Sequence, residues 1–178
     1  MKVTELEVEG AYIVEGDTFS DERGYFSRVL CTRGVKDSLR FIPTQTSISY
    51  NKNRNTLRGI HFSVFPYAEA KFVTCIEGWV TDVIVDLRPT SKTFKKHSKV
   101  QLHGDNMSVF IPKGCGHGFL TLVDETKLLY QITPAYNEEY QRVIRYNDPD
   151  LGIGWGDKKN FIMSDKDTNA PLLKEFLI

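Results

Sequence analysis

A chain of 178 residues with 40% hydrophobic, 26% charged and 12% aromatic content is sized for one domain with an adequate core, and nothing in it suggests two. Lys plus Arg and Asp plus Glu each number 23, a zero formal charge that argues against non-specific nucleic-acid binding while allowing a local basic pocket for a phosphate. Three widely spaced cysteines (Cys31, Cys75, Cys115), no apolar run near the roughly 20 residues that span a bilayer, and a start without a signal-peptide core point to a soluble cytoplasmic protein with no membrane partner.

Short apolar runs broken by turn residues fill the N-terminal third. Ala11 to Val14 reads as a strand and Gly16-Asp17 as a turn; Asp21-Glu22-Arg23-Gly24 is a second turn, leading into a strand from Tyr25 to Cys31. A short helix is expected over Arg33 to Arg40. Gln45 to Tyr50 alternates, and a polar loop runs from Asn51 to Asn55. Strand signals then crowd together: Leu57 to Phe62, Lys71 to Ile76, Trp79 to Leu87, His97 to Leu102, Met107 to Ile111, Gly116 to Val123 and Lys127 to Thr133. In the third of these, Asp82, Ile84 and Asp86 alternate with Val83, Val85 and Leu87, as in a strand with one more polar face. This spacing predicts an all-β antiparallel sandwich or barrel. After Asn137 the chain becomes charged and turn-rich, and Pro171 to Phe176 could close it as a helical turn.

The densest chemistry lies between Thr56 and Val80, where Arg58, His61 and Lys71 sit among apolar and aromatic residues. Charges in such a run are costly unless they face a cavity or a partner, so a ligand cavity is the sharper reading. The plainer one is a core imidazole and a lysine whose head reaches water. Strict alternation puts Arg58, Ile60 and Phe62 on one face and Gly59 and His61 on the other; only a bulge near Gly59 or a bend at the strand end would bring Arg58 and His61 together.

A second dense motif, Pro112 to His117, has the pattern P-x-G-x-x-H, which is similar to the second cupin motif. The first cupin motif would supply further metal ligands, but the corresponding place reads His61-Phe62-Ser63. Two distant histidines without a clear carboxylate make a poor metal site, and no metal is expected. Taken alone, Asp167 reads as part of a surface acidic loop, Tyr130 as a core tyrosine and Arg23 as a solvated turn residue.

The segments FSDERGYF, LRGIHF with Lys71 after it, EGWVTDVIVDLR, IPKGCGHGF, LLYQIT, NDPDLGIGW and SDKD followed by APLL occur in this order from about Phe19 to Leu173. Together they resemble the dTDP-4-dehydrorhamnose 3,5-epimerase family of nucleotide-sugar epimerases. The resemblance implies a cupin jelly-roll barrel (double-stranded β-helix) with short peripheral helices, a homodimer exchanging N-terminal strands, no cofactor, and a nucleotide-diphosphate-linked 4-keto-6-deoxy sugar as substrate. It further implies His61 as base with Asp167 as its partner, and Tyr130 as acid. Lys71 and His117 would steady the enolate oxygen. Arg58 would neutralise diphosphate with help from Arg23 and Lys166, and Phe19, Gln45 and Ser47 would lie near the nucleotide.

Departures from the family pattern gather at the nucleotide end. Arg28 stands where a Glu is usual, Ser47 where an Asn is usual, Gln141 where a Glu is usual, and Tyr146 replaces a Trp. They raise the expectation of a nucleotide other than dTDP, with CDP and GDP as candidates, or of a different sugar. Whether C3, C5 or both are inverted stays open. Two rivals share the fold: a 3,4-ketoisomerase, and a non-catalytic cupin that binds nucleotide sugars.

Overall fold

Alternation along the strands becomes two antiparallel sheets that pack into a jelly-roll barrel. The computed structural model describes residues 1–31, 41–104, 107–156 and 160–176; the expected helix over Arg33 to Arg40 lies outside the described residues. One sheet contains β1 (Lys2–Glu5), β2 (Tyr12–Glu15), β5 (Gln45–Asn51), β7 (Ala70–Glu77), β10 (Met107–Ile111) and β12 (Thr126–Thr133), in the order β1-β2-β10-β7-β12-β5. The other contains β6 (Leu57–Ser63), β8 (Trp79–Asp86), β9 (His97–His103), β11 (Cys115–Thr121) and β13 (Gln141–Val143), in the order β13-β6-β11-β8-β9. A separate hairpin joins β3 (Thr18–Asp21) to β4 (Gly24–Ser27). It stops well short of Cys31, where the sequence pattern had carried the strand.

Val73, Cys75, Val80, Ile84, Leu102, Val109, Ile111, Phe119 and Leu128 pack in one core cluster that draws on both sheets. A second cluster joins Leu57, Ile60, Val83, Val85 and Leu120 of the five-stranded sheet to Ile144, Leu151, Ile153, Trp155 and Leu173 of the C-terminal segment. Each such aliphatic side chain contributes roughly 1.5–3 kcal/mol on leaving water. The turn-rich tail is therefore a cover for the sheet. This second layer also corrects the reading of β8: both its faces are buried, and Asp82 and Asp86 are 0% exposed. Asp86 is held by Arg88, Ser91 and Thr93, whereas Asp82 meets His117 through Oδ2 alone and its buried Oδ1 has no hydrogen-bond partner among the described residues.

The tail contains a four-residue helix α1 (Asp165–Thr168), capped by the Ser164 side chain, and short 3-10 turns at Glu138–Tyr140 and Leu173–Glu175. Among the described residues, no helix is long and apolar enough to cross a membrane.

Candidate active site

β6 pairs with β11 so that His61 faces His117 and Arg58 faces Phe119, with a register shift between the two pairs. Three steps along β6 thus match two along β11, a bulge that sets Arg58 and His61 on one side. Strict alternation, which separates them, fails here for a local reason. Gly59 has φ +124° and packs so closely that a Cβ would lie 2.5 Å from Gly118 Cα and 2.8 Å from the His117 carbonyl oxygen. Only glycine tolerates both the dihedral and the approach.

The resulting cavity, about 290 Å³, lies between the sheets. Arg58 and His61 from β6, with His117 and Phe119 from β11, line one wall. Lys71 from β7, Tyr130 and Ile132 from β12, and Gln45, Ser47 and Ser49 from β5 line the other, joined by Glu69, Tyr136 and Gln141. Alternate residues of β5 and β12 reach inward, as a strand period of two requires.

His61 Nε2 lies 2.6 Å from Asp167 Oδ1, and the imidazole stays partly open while the carboxylate is buried. Asp167 sits in the first turn of α1, with Ser164 Oγ donating to its Oδ2 at 2.9 Å. Burial alone would raise this carboxyl. The hydrogen bond and charge of His61, the Ser164 hydroxyl and the Gly59 N–H outweigh it and hold Asp167 below the ordinary carboxylate value. A carboxylate accepting Nε2–H leaves the second ring nitrogen with the lone pair. The surface acidic loop suggested by local sequence is therefore a buried partner of His61.

Tyr130 occupies the opposite wall, its ring edge-on to His117 at 5.7 Å between centroids. Burial, and then the Asp82 carboxylate, push its phenol well above the ordinary value of about 10, with Arg58 opposing, so it remains protonated in neutral solution. His117 Nε2 lies 2.7 Å from Asp82 Oδ2, forming a second and more deeply buried imidazole–carboxylate pair. Arg58 Nε donates to Asn51 Oδ1 at 2.9 Å, which anchors the guanidinium at the cavity edge.

Among the residues singled out by sequence, His61, Asp167, Tyr130, Arg58, Lys71, His117, Gln45 and Ser47 come together around this cavity. Phe19, Arg23 and Arg28 do not line it. They sit on or just beyond the hairpin, where Phe19 is 57% exposed, Arg23 is paired with Asp21, and Arg28 is paired with Asp17. Lys166 lies on a neighbouring depression beside Asp165, Asn169 and Phe176. Sequence reading missed Glu69, Asp82, Asn51, Ser49 and Tyr136 as site residues. For Glu69 a signal existed: two residues before Lys71 in an extended chain, it shares that lysine's side.

The hollow of this jelly-roll barrel thus carries a histidine–aspartate pair on one wall and a protonated phenol with a lysine on the other, so that a proton acceptor and a proton donor share one cavity. A family model described as dTDP-4-dehydrorhamnose 3,5-epimerase matches residues 5–175. A Streptomyces griseus dTDP-4-dehydrorhamnose 3,5-epimerase is 34% identical over 96% of this chain and 86% of its own. The crystal structure of the Elizabethkingia anophelis dTDP-4-dehydrorhamnose 3,5-epimerase superposes with a TM-score of 0.91 at 35% identity, covering 98% of this chain and 97% of that one. ChmJ, a 3'-monoepimerase from Streptomyces bikiniensis solved in complex with dTDP-quinovose, superposes with a TM-score of 0.87 at 34% identity, covering 97% and 89%. The chain belongs to the dTDP-4-dehydrorhamnose 3,5-epimerase family.

Proposed function

We propose that this protein inverts C3, C5 or both in a dTDP-linked 4-keto-6-deoxy sugar, by proton removal and return through an enolate and without a cofactor. The observation that carries the reading is the His61–Asp167 pair and the protonated Tyr130 on facing walls of one cavity. A hydrogen next to a carbonyl is weakly acidic because the carbanion delocalises onto oxygen. Inversion then needs a base on one face of the sugar, an acid on the other, and positive charge near the oxygen. His61 takes the proton, and Asp167 fixes its tautomer and stabilises the imidazolium. Tyr130 returns a proton to the opposite face. Lys71 and His117 face the developing enolate oxygen, and Arg58 meets the diphosphate.

The relatives' names favour dTDP over CDP and GDP. Gln45, Ser47, Ser49 and Tyr136 at the β5 end would meet the nucleotide. Phe19, Arg23 and Arg28 act from a second copy of the chain, whose hairpin supplies them across a homodimer. The setting is cytoplasmic, with no nucleic-acid or membrane partner.

Incubation with a dTDP-4-keto-6-deoxy sugar in deuterated water, followed by NMR, should show deuterium entering at C3, C5 or both, with inversion at the labelled carbon. His61→Ala should abolish incorporation. Exchange at the wild-type rate in that variant would remove His61 as the base. No incorporation in the wild-type protein would favour the non-catalytic reading, and a 3-keto product the ketoisomerase.

A further inference from the structure

Lys71 is not alone in its wall. Glu69 forms an ion pair with its ammonium through Oε2, and the two side chains are 3% and 8% exposed respectively. The other carboxylate oxygen, Oε1, accepts from Gln141 Nε2 at 2.6 Å, and that same nitrogen donates to Ser63 Oγ at 2.7 Å. Gln141 and Ser63 are cross-strand partners on β13 and β6. The path Lys71–Glu69–Gln141–Ser63 therefore ties the six-stranded sheet, which carries Lys71 and Tyr130, to the strand of the other sheet that carries His61.

The geometry points to Glu69 as a positioning residue for the reaction: it pins the Lys71 ammonium at a set place relative to the base on the facing sheet. The inference rests on the reading of Lys71 as the cation that meets the enolate oxygen. A lysine head on a flexible four-carbon stem has no preferred place in a polar hollow by itself. Stabilisation of a developing charge depends on groups already in position, and a misplacement of about 1 Å can cost roughly 10²-fold in rate. Gln141 and Ser63 in turn fix the carboxylate. Because Gln141 brings an amide where a second acid would repel Glu69, the wall holds one carboxylate for one ammonium.

The test is a double-mutant cycle in the full-length protein: wild type, Glu69→Gln, Lys71→Gln and the double variant, assayed by steady-state kinetics on a dTDP-4-keto-6-deoxy sugar. Glutamine at 71 keeps an amide donor for Glu69, so no carboxylate is left bare. Glu69→Gln should lower kcat at least about tenfold with KM within about threefold of wild type. Lys71→Gln should lower kcat further. Adding Glu69→Gln to Lys71→Gln should then change kcat by less than about twofold, because Glu69 acts only through the lysine. A wild-type kcat in Glu69→Gln overturns the inference. So does an equal loss in both backgrounds, the mark of a merely structural role. Unchanged kcat in Lys71→Gln discards the lysine's role and Glu69's with it, whereas an impaired Lys71→Gln beside an intact Glu69→Gln discards Glu69 alone. Should Glu69→Gln fail to fold, Glu69→Asp keeps the charge, shortens the reach and enters the same cycle with the same outcomes.

Discussion

Asp167 Oδ1 sits 2.6 Å from His61 Nε2, so Asp167→Asn exchanges a pure acceptor for a group that can also donate. The imidazole is then no longer held in one tautomer, and its protonated form loses a counter-charge. In such pairs the loss reaches several powers of ten, and here kcat for solvent exchange should fall at least about 10²-fold. The folded-state pKa of Asp167 is lowered, so the unfolded chain binds more protons between the two values. Its contribution to stability is thus present above the ordinary carboxylate value and lost as pH falls through the folded one. Melting temperatures should show wild type exceeding Asp167→Asn at neutral pH, with the gap narrowing below about pH 4. A gap constant across that range would mean that ionised Asp167 adds no stability. Tyr130→Phe separates acid from base: deuterium should still exchange, while inverted product falls about 10²-fold or more. Equal loss of both would take Tyr130 out of the acid's role. His61, Lys71 and Arg58 stood out in the sequence because charged and titratable groups interrupt an apolar run, whereas Tyr130 taken alone reads as a core tyrosine and entered only through the family resemblance. Asp82 did not stand out, because only the fold buries it beside an imidazole, and Glu69 offered no more than its spacing of two from Lys71.

At the scale of elements, strand positions were legible wherever apolar residues alternate between Gly and Pro breaks, as in β7, β8, β10 and β12. The bulge in β6 stood in the sequence only as one of two ways to bring Arg58 and His61 together, since what decides it is Gly59 meeting Gly118 from a strand distant in sequence. Not legible was β13, a three-residue strand in a charged segment that forms because β6 offers it an edge. Gly59→Ala tests what the bulge does. Its methyl would collide with backbone, which cannot step aside, and its φ of +124° disfavours any L side chain. The variant should lose at least about 2 kcal/mol in denaturant unfolding. Its remaining folded fraction should show kcat falling together with diphosphate affinity, because Arg58 and His61 are re-aimed as one unit. Full stability with full activity would show that the close contact is not what aims them.

For the whole molecule, the telling feature is a hairpin that leaves its aromatic side chains outside. Phe19, Tyr25 and Phe26 are 57%, 66% and 69% exposed, a cost that contact with a second protein surface would remove. The sequence pointed to Phe19 and Arg23 as substrate-binding residues, yet in one chain they lie on the hairpin and not among the residues lining the cavity. The proposed dimer, if it trades hairpins, would reconcile the two and would make each site a product of two chains. Arg23→Ala and His61→Ala then damage different halves of a site. Co-refolded in equal amounts, half the dimers pair one variant with the other, and in each of these one site has both an intact cavity and an intact hairpin. Mixed protein should recover about a quarter of wild-type kcat/KM when assembly is random, well above the average of the parents. If both residues served the same chain's site, every site would carry one lesion, and mixing would restore nothing.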